Sequence, residues 1–202
     1  ASAADNIGAM NNALYGEIIS YDSDGMTIDY GNSDAVNDAH NQTGEDYVIH
    51  SWKAGVIPGL DIVEYVGDGT TPRNVSHGLG VVPTAVIVKA ETTTKSWNVK
   101  FPGMASGQVC NLDTNGADVA NATGVVSDMS FATTTTFRVQ DVTTGAAVNA
   151  DTINYMAYVF KEIDQFSKFF TYTGNGSGTD GAFIPLSFTP RYVLIKRIDS
   201  AA

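Results

Sequence analysis

The 202-residue chain carries 22 acidic and 11 basic side chains, a net charge of −11, and 43% of its residues are hydrophobic. That share is enough for a real core, and no run approaches the length of a membrane-spanning helix. The acidic balance speaks against nucleic acid as a partner, because phosphate binding needs clustered Lys and Arg.

From the N-terminus, Ile7, Met10 and Leu14 fall near helical spacing and predict a short helix within residues 1–15. Tyr21-Asp22-Ser23-Asp24-Gly25 reads as a turn, and the alternating Met26–Tyr30 as a strand. Residues 31–45 have the composition of a loop, and Tyr47–Trp52 that of a strand. Ile62–Val66 and Arg73–His77 flank Gly67-Asp68-Gly69, a sequence suited to the left-handed angles of tight turns, and predict a hairpin. Pro83 and Pro190 each precede a continuous apolar run, Ala85–Val88 and Tyr192–Ile195, predicting central strands covered on both faces. Further strands are predicted over residues 96–101, 107–112, 124–127, 135–142 and 154–160, the fourth led by the β-branched run Thr133–Thr136. After residue 20 no stretch keeps a 3.6-residue period for three turns. The fold class expected is all-β: tandem β-sandwich domains of jelly-roll or lectin-like build, joined by short linkers.

Tandem organisation follows from a phrase that the chain writes twice. Tyr65-Val66-Gly67-Asp68-Gly69, leading to Pro83 and Lys89, returns as Tyr172-Thr173-Gly174-Asn175-Gly176, leading to Pro190 and Lys196. Tyr, both glycines, Pro and Lys all recur 107 positions later (172 − 65, 190 − 83, 196 − 89). Tyr155–Lys161 likewise echoes Tyr47–Lys53 at an offset of 108 (155 − 47), and Phe137–Gln140 loosely echoes Met26–Asp29. A period near a hundred residues is too long for a solenoid turn, so the unit is a domain. The expected domains are residues 1–53, the later part of one repeat; 54–161, a complete repeat; and 162–202, the beginning of another. The opening Ala-Ser-Ala-Ala and the motif close to the last residue suggest a segment of a longer polypeptide.

Candidate chemical motifs are thin. Asp22-Ser23-Asp24-Gly25 with Asp29, and Asp113–Asp118, have the oxygen-rich look of calcium loops but lack the closing bidentate Glu, and acidic β turns produce such clusters routinely. His77-Gly78-Leu79-Gly80 has the look of an oxyanion loop, yet the chain has no Gly-x-Ser-x-Gly elbow, and the second copy reads Ile184-Pro185-Leu186-Ser187. An apolar residue at 79 and 186 is what the copies share, which points to packing. Gly67–Thr71 lacks the Lys and the following helix of a phosphate loop. His40 and His50 stand without a second ligand at metal spacing. Cys110, the single cysteine, excludes an internal disulfide; with Val109 and Leu112 beside it, a buried, inert thiol is expected. Four Asn-x-Ser/Thr sequons, at Asn41, Asn74, Asn121 and Asn175, carry meaning only in a secretory pathway. Trp52 aligns with Phe160 and reads as core. Trp97, in the polar setting Lys95-Ser96-Trp97-Asn98, is the candidate for stacking on a sugar ring. No catalytic, cofactor-binding or metal-binding residue is nominated.

With those residues in view, the repeat resembles a domain of unknown function that recurs in tandem in tail-fibre and other virion proteins of tailed bacteriophages, especially marine ones. The matching signature is Tyr65-x-Gly67-Asp68-Gly69, His77 to Pro83, Val86-Ile87-Val88-Lys89 and Trp97-Asn98-Val99. It resumes at Tyr155-x-Ala157-Tyr158-x-Phe160, Phe166-Ser167-Lys168 and Tyr172–Gly176, and closes on Pro190-x-x-Val193-Leu194-Ile195-Lys196-Arg197. The resemblance implies a non-enzymatic building block of a virion appendage, with other virion proteins and copies of itself as partners and no cofactor. A glycan-binding adhesion module for host attachment is the alternative, with Trp97 as its contact. A polysaccharide-degrading enzyme is the third, and it requires a convergent pair of carboxylates for which no residues stand out.

Overall fold

The computed structural model describes residues 11–12, 16–28, 41, 43–44, 46–47, 49, 51–104, 108–114, 119–120, 125–126, 132–140 and 148–199. The chain divides into two units, residues 1–52 and 53–202. No helix occurs among the described residues, so the class is all-β. The helix predicted within residues 1–15 lies largely outside them, and the part described, Asn11–Asn12, is a strand.

In the first unit β1 (Asn11–Asn12), β2 (Gly16–Tyr21) and β3 (Met26–Ile28) form an antiparallel sheet in that order. The residues with a calcium-loop look, Asp22–Gly25, are the β2–β3 turn, closed by the Asp22 amide donating to the Gly25 carbonyl at 2.9 Å.

The second unit holds the remaining strands: β4 (Leu60–Val66), β5 (Arg73–Ser76), β6 (Ala85–Ala90), β7 (Asn98–Lys100), β8 (Gln108–Asn111), β9 (Val119–Ala120), β10 (Val125–Val126), β11 (Thr136–Gln140) and β12 (Asn154–Phe160). Six make one antiparallel sheet in the order β4-β12-β6-β7-β8-β9, and three make another, β10-β11-β5. The alternation of β11 sends Phe137 and Val139 inward, where they meet Val75 of β5 and the facing row Val86, Val88, Ala90, Tyr155, Ala157 and Val159. The main core therefore lies between the two sheets, with Leu79 and Val148 sealed into it. The far face of the large sheet has its own cluster: Val99, Cys110 and Met104, with Ile87, Phe101, Leu112 and Ile198 packed on them. Ala85–Val88 is thus covered on both sides, as its unbroken apolar run requires.

The predicted hairpin does not form. β4 pairs with β12 in the large sheet, while β5 pairs with β11 in the small one. Gly67–Pro72 is a crossover between sheets. Its composition is that of a hairpin turn, but β12 takes the register partner that β5 would have needed.

Beyond β12 the chain reaches residue 199 without a further strand, with turns and bends and one isolated bridge, Ile163 to Ser167. Phe169 packs against Phe160 and Phe101, at centroid distances of 5.4 and 6.5 Å. Glu162 accepts the Phe169 amide at 2.8 Å and the Lys168 ammonium at 3.0 Å. The run predicted as a second central strand, Tyr192–Ile195, is not a strand, and all four side chains are exposed. Neither is Tyr47–Trp52 at its described positions, and Trp52, expected in the core, is exposed.

Candidate functional site

The repeated phrase builds a polar clasp. At Gly67 the backbone passes so close to the 148–153 loop that a Cβ there would stand 1.9 Å from the Ala150 carbonyl oxygen. Glycine permits that approach, and three backbone bonds use it. The Gly67 amide donates to Ile153 at 2.7 Å, Thr152 donates to Gly67 at 3.0 Å, and Gly69 donates to Asn149 at 3.0 Å. Gly69 takes the left-handed φ of 66°.

Side chains complete the clasp. Asp68 Oδ1 accepts from the Thr70 amide at 2.9 Å, the Thr70 hydroxyl at 2.7 Å and Asn149 Nδ2 at 2.9 Å. Its Oδ2 faces Arg73 Nε at 3.3 Å. The Thr70 hydroxyl and amide, then Asn149 and Arg73, stabilise the charged carboxylate and hold its pKa down at about 2. Asn149 is fully buried; its Nδ2 also donates to the Thr70 carbonyl at 2.8 Å, and its Oδ1 accepts from Arg73 at 3.0 Å. The Arg73 guanidinium lies 5.4 Å from the Tyr65 ring centroid. Tyr65 in turn stacks on Tyr155 at 5.2 Å, and the two hydroxyls reach the same loop, Tyr65 donating to Val148 and Tyr155 accepting from the Ala150 amide. Donors and acceptors meet within the clasp, so its chemistry is that of a fastener between two distant segments.

His77 is equally absorbed by packing. It is buried, its Nδ1 accepts the Leu79 amide at 3.2 Å, and its Nε2 faces the Thr133 carbonyl at 3.3 Å. The oxyanion-like phrase therefore ties the β5 exit to the Thr133–Thr136 turn, where Thr133 Oγ1 accepts the Thr135 and Thr136 amides at 3.2 and 3.0 Å. Cys110 is buried, as its apolar neighbours predicted.

Trp97 is half-buried at the edge of β7, where its ring stacks on Tyr158 at 6.2 Å with the planes 24° apart. Asp113 Oδ1 accepts its backbone N–H at 3.2 Å, which accounts for the described part of the second calcium-like stretch; residues 115–118 lie outside the described set. Sequence reasoning missed the residues around Trp97. Burial first, then the Glu91 charge, pushes the Tyr158 phenol up; burial first, then the Glu64 charge, pushes Glu91 up. Glu91 Oε1 and Thr93 Oγ1 are buried with no hydrogen-bond partner. A half-buried indole stacked on a tyrosine keeps part of its apolar surface in reach of a sugar ring. Among the described residues no group of three or more His, Cys, Asp and Glu could hold a metal ion, and no helix is long and apolar enough to cross a membrane.

The second copy keeps the turn and lacks the clasp. Gly176 has φ 70°, matching Gly69, but nothing lies within 4 Å of a Cβ placed on Gly174. Tyr172 is 50% exposed, whereas its counterpart Tyr65 is buried. Asn175 turns to its own loop, donating to the Asp180 carbonyl at 2.8 Å. The sequence reading also missed that the other half of the clasp is written twice. Asn149 has its counterpart in Asn41 at the same offset of 108 as Tyr155 and Tyr47. Thr152, at φ 64°, has its counterpart in Gly44, at φ 87°.

An all-β protein, in which the first copy of the motif fastens the crossover after β4 to the loop before β12, is what the geometry defines. The chain belongs to a family described as a domain of unknown function, DUF7483, whose model matches residues 2–202 and so spans both copies of the phrase. No curated protein and no solved structure matches it.

Proposed function

We propose that this chain is a non-enzymatic structural component of a tailed-bacteriophage particle, a tail fibre or related surface appendage built from tandem β-sandwich domains. The carrying observation is the sequence signature from Tyr65 to Arg197 that resembles such virion proteins. The fate of its residues supports the reading: Tyr65, Gly67, Asp68, Asn149 and Tyr155 are engaged in the clasp and His77 in packing. Two facing sheets with a shared core fit a sandwich of jelly-roll or lectin-like build. Stability drawn from paired backbone, with the one thiol buried, suits assembly in a bacterial cytoplasm. The partners are then other virion proteins and copies of this chain, and the address is the particle. Peptide mass spectrometry and antibody labelling of purified particles test this; particles that infect but lack the chain overturn it.

A second reading is favoured by one observation, the half-buried Trp97 stacked on Tyr158. It is a glycan-binding module for host attachment. A glycan array probed with the wild type and Trp97→Ala tests it. Hits lost in the variant support it, and an array without hits removes it.

A further inference from the structure

We infer that Asn175 is a site of self-modification in the folded protein, its side-chain amide being displaced by the backbone nitrogen of Gly176. The phrase Gly-Asn-Gly is thereby converted in place to Gly-Asp-Gly and its isoaspartyl form. The chain holds two Asn-Gly pairs, at 115 and 175, and the second lies within the described residues. Asn175 and Gly176 are both exposed, and nothing lies within 4 Å of a Cβ placed on Gly176. A glycine carries no side chain to shield its amide nitrogen.

The two copies of the phrase show what frees this position. In the first, the Gly69 amide donates to the Asn149 carbonyl at 3.0 Å, and Asp68 is gripped by Thr70, Asn149 and Arg73. Nitrogen and side-chain carbon there can close on one another only if the clasp opens. Asp68 is also kept charged, and a carboxylate is a poor electrophile. In the second copy the Gly176 amide donates to no atom among the described residues. The Asn175 side chain is turned back onto its own loop, Oδ1 accepting the Ser177 amide at 3.1 Å and Nδ2 donating to the Asp180 carbonyl at 2.8 Å. The Ser177 N–H thus sits on the oxygen that becomes negative when the amide carbon is attacked.

The atoms balance with water alone. The Gly176 nitrogen loses its proton to hydroxide and bonds to Cγ of Asn175. The Cγ–Nδ2 bond breaks, and the nitrogen leaves as ammonia after taking a proton from water. A second water opens the cyclic imide: addition at Cγ gives an aspartate, and addition at the main-chain carbonyl gives an isoaspartate. Each event takes the net charge from −11 to −12 (−11 − 1). It also replaces the donor to the Asp180 carbonyl by an acceptor, so the 175–180 loop loses a bond that closes it. The step belongs to the chain and holds wherever the chain resides.

Ageing of the purified protein at mildly alkaline pH, followed by tryptic mass spectrometry, tests this. The fragment 169–191 contains Asn175 as its one asparagine, and fragment 54–73 contains Asp68. The amide-to-acid mass gain and isoaspartate should appear at 175 in the folded chain at a rate within roughly threefold of the same chain unfolded in urea. Isoaspartate at Asp68 should form roughly a hundredfold more slowly in the folded chain than in the unfolded one, because the clasp must first open. Conversion at 175 that folding slows as strongly as at 68, or that yields no isoaspartate, overturns the proposal. Gly176→Ala should slow the conversion roughly tenfold, and an unchanged rate overturns attack by that nitrogen. In Asn175→Asp, the Thr179 and Asp180 amides, which donate to Ser177 Oγ, should exchange hydrogen about fivefold faster, the share of one lost hydrogen bond. Unchanged exchange overturns the coupling of the conversion to the loop.

Discussion

The carboxamide of Asn149 donates to the carboxylate of Asp68 at 2.9 Å, across 81 residues of sequence. That bond joins the loop before β12 to the crossover after β4, and Asn149 is buried with both ends of its amide engaged. Replacing it by alanine removes the bonds to Asp68, Thr70 and Arg73 together and leaves a gap at a fully buried position. Asn149→Ala should lower unfolding stability by about 2–4 kcal/mol. Urea titration should show the midpoint falling with an unchanged slope.

Acid should loosen the same clasp. Asp68 has its folded pKa depressed from 3.8 to about 2, so its contribution is fully present above the unfolded value and is lost as pH falls through the folded one. Thermal melts between pH 5 and pH 2 should therefore fall more steeply for the wild type than for Asp68→Asn. Parallel curves would remove Asp68 from the acid response.

The two copies of the phrase predict opposite responses to one substitution. Gly67→Ala sets a methyl group against the Ala150 carbonyl, a backbone obstacle that only a shift of the loop relieves. It should cost about 3 kcal/mol. Gly174→Ala meets nothing within 4 Å and should stay within about 0.5 kcal/mol of the wild type in the monomer. Denaturation midpoints of the pair measure the difference directly.

Glu91 runs the other way from Asp68. Burial and the Glu64 charge raise its pKa in the folded state, so its stabilising share is present at low pH and is lost as pH rises through the folded value. Glu91→Gln removes the charge and should raise the melting temperature at neutral pH, with the advantage vanishing in acid. A variant equal to the wild type at both pH values would place Glu91 in free contact with water.

The local patterns that mark strands were readable. β4, β6, β11 and β12 follow from β-branched and apolar runs, and Phe137 and Val139 alternate as an inward face should. What depended on distant partners was not. Gly67-Asp68-Gly69 reads as a hairpin turn because its composition carries no trace of Ala150, whose carbonyl makes the first glycine necessary. Tyr192–Ile195 reads as a central strand because the pattern of Ala85–Val88 is kept there, while burial is decided by neighbours that the pattern cannot name. Trp97 stood out by its polar flanks, but Tyr158, which it stacks on, looked like any strand aromatic.

The position of β12 sets a timetable for synthesis. It is the last strand of its sheet in sequence, and it lies between β4 and β6, the first two. Until residue 160 has left the ribosome, those two have no common neighbour, and their apolar edges must wait in the open. A nascent chain stalled short of Asn154 should be the form that chaperones hold and that aggregates on release.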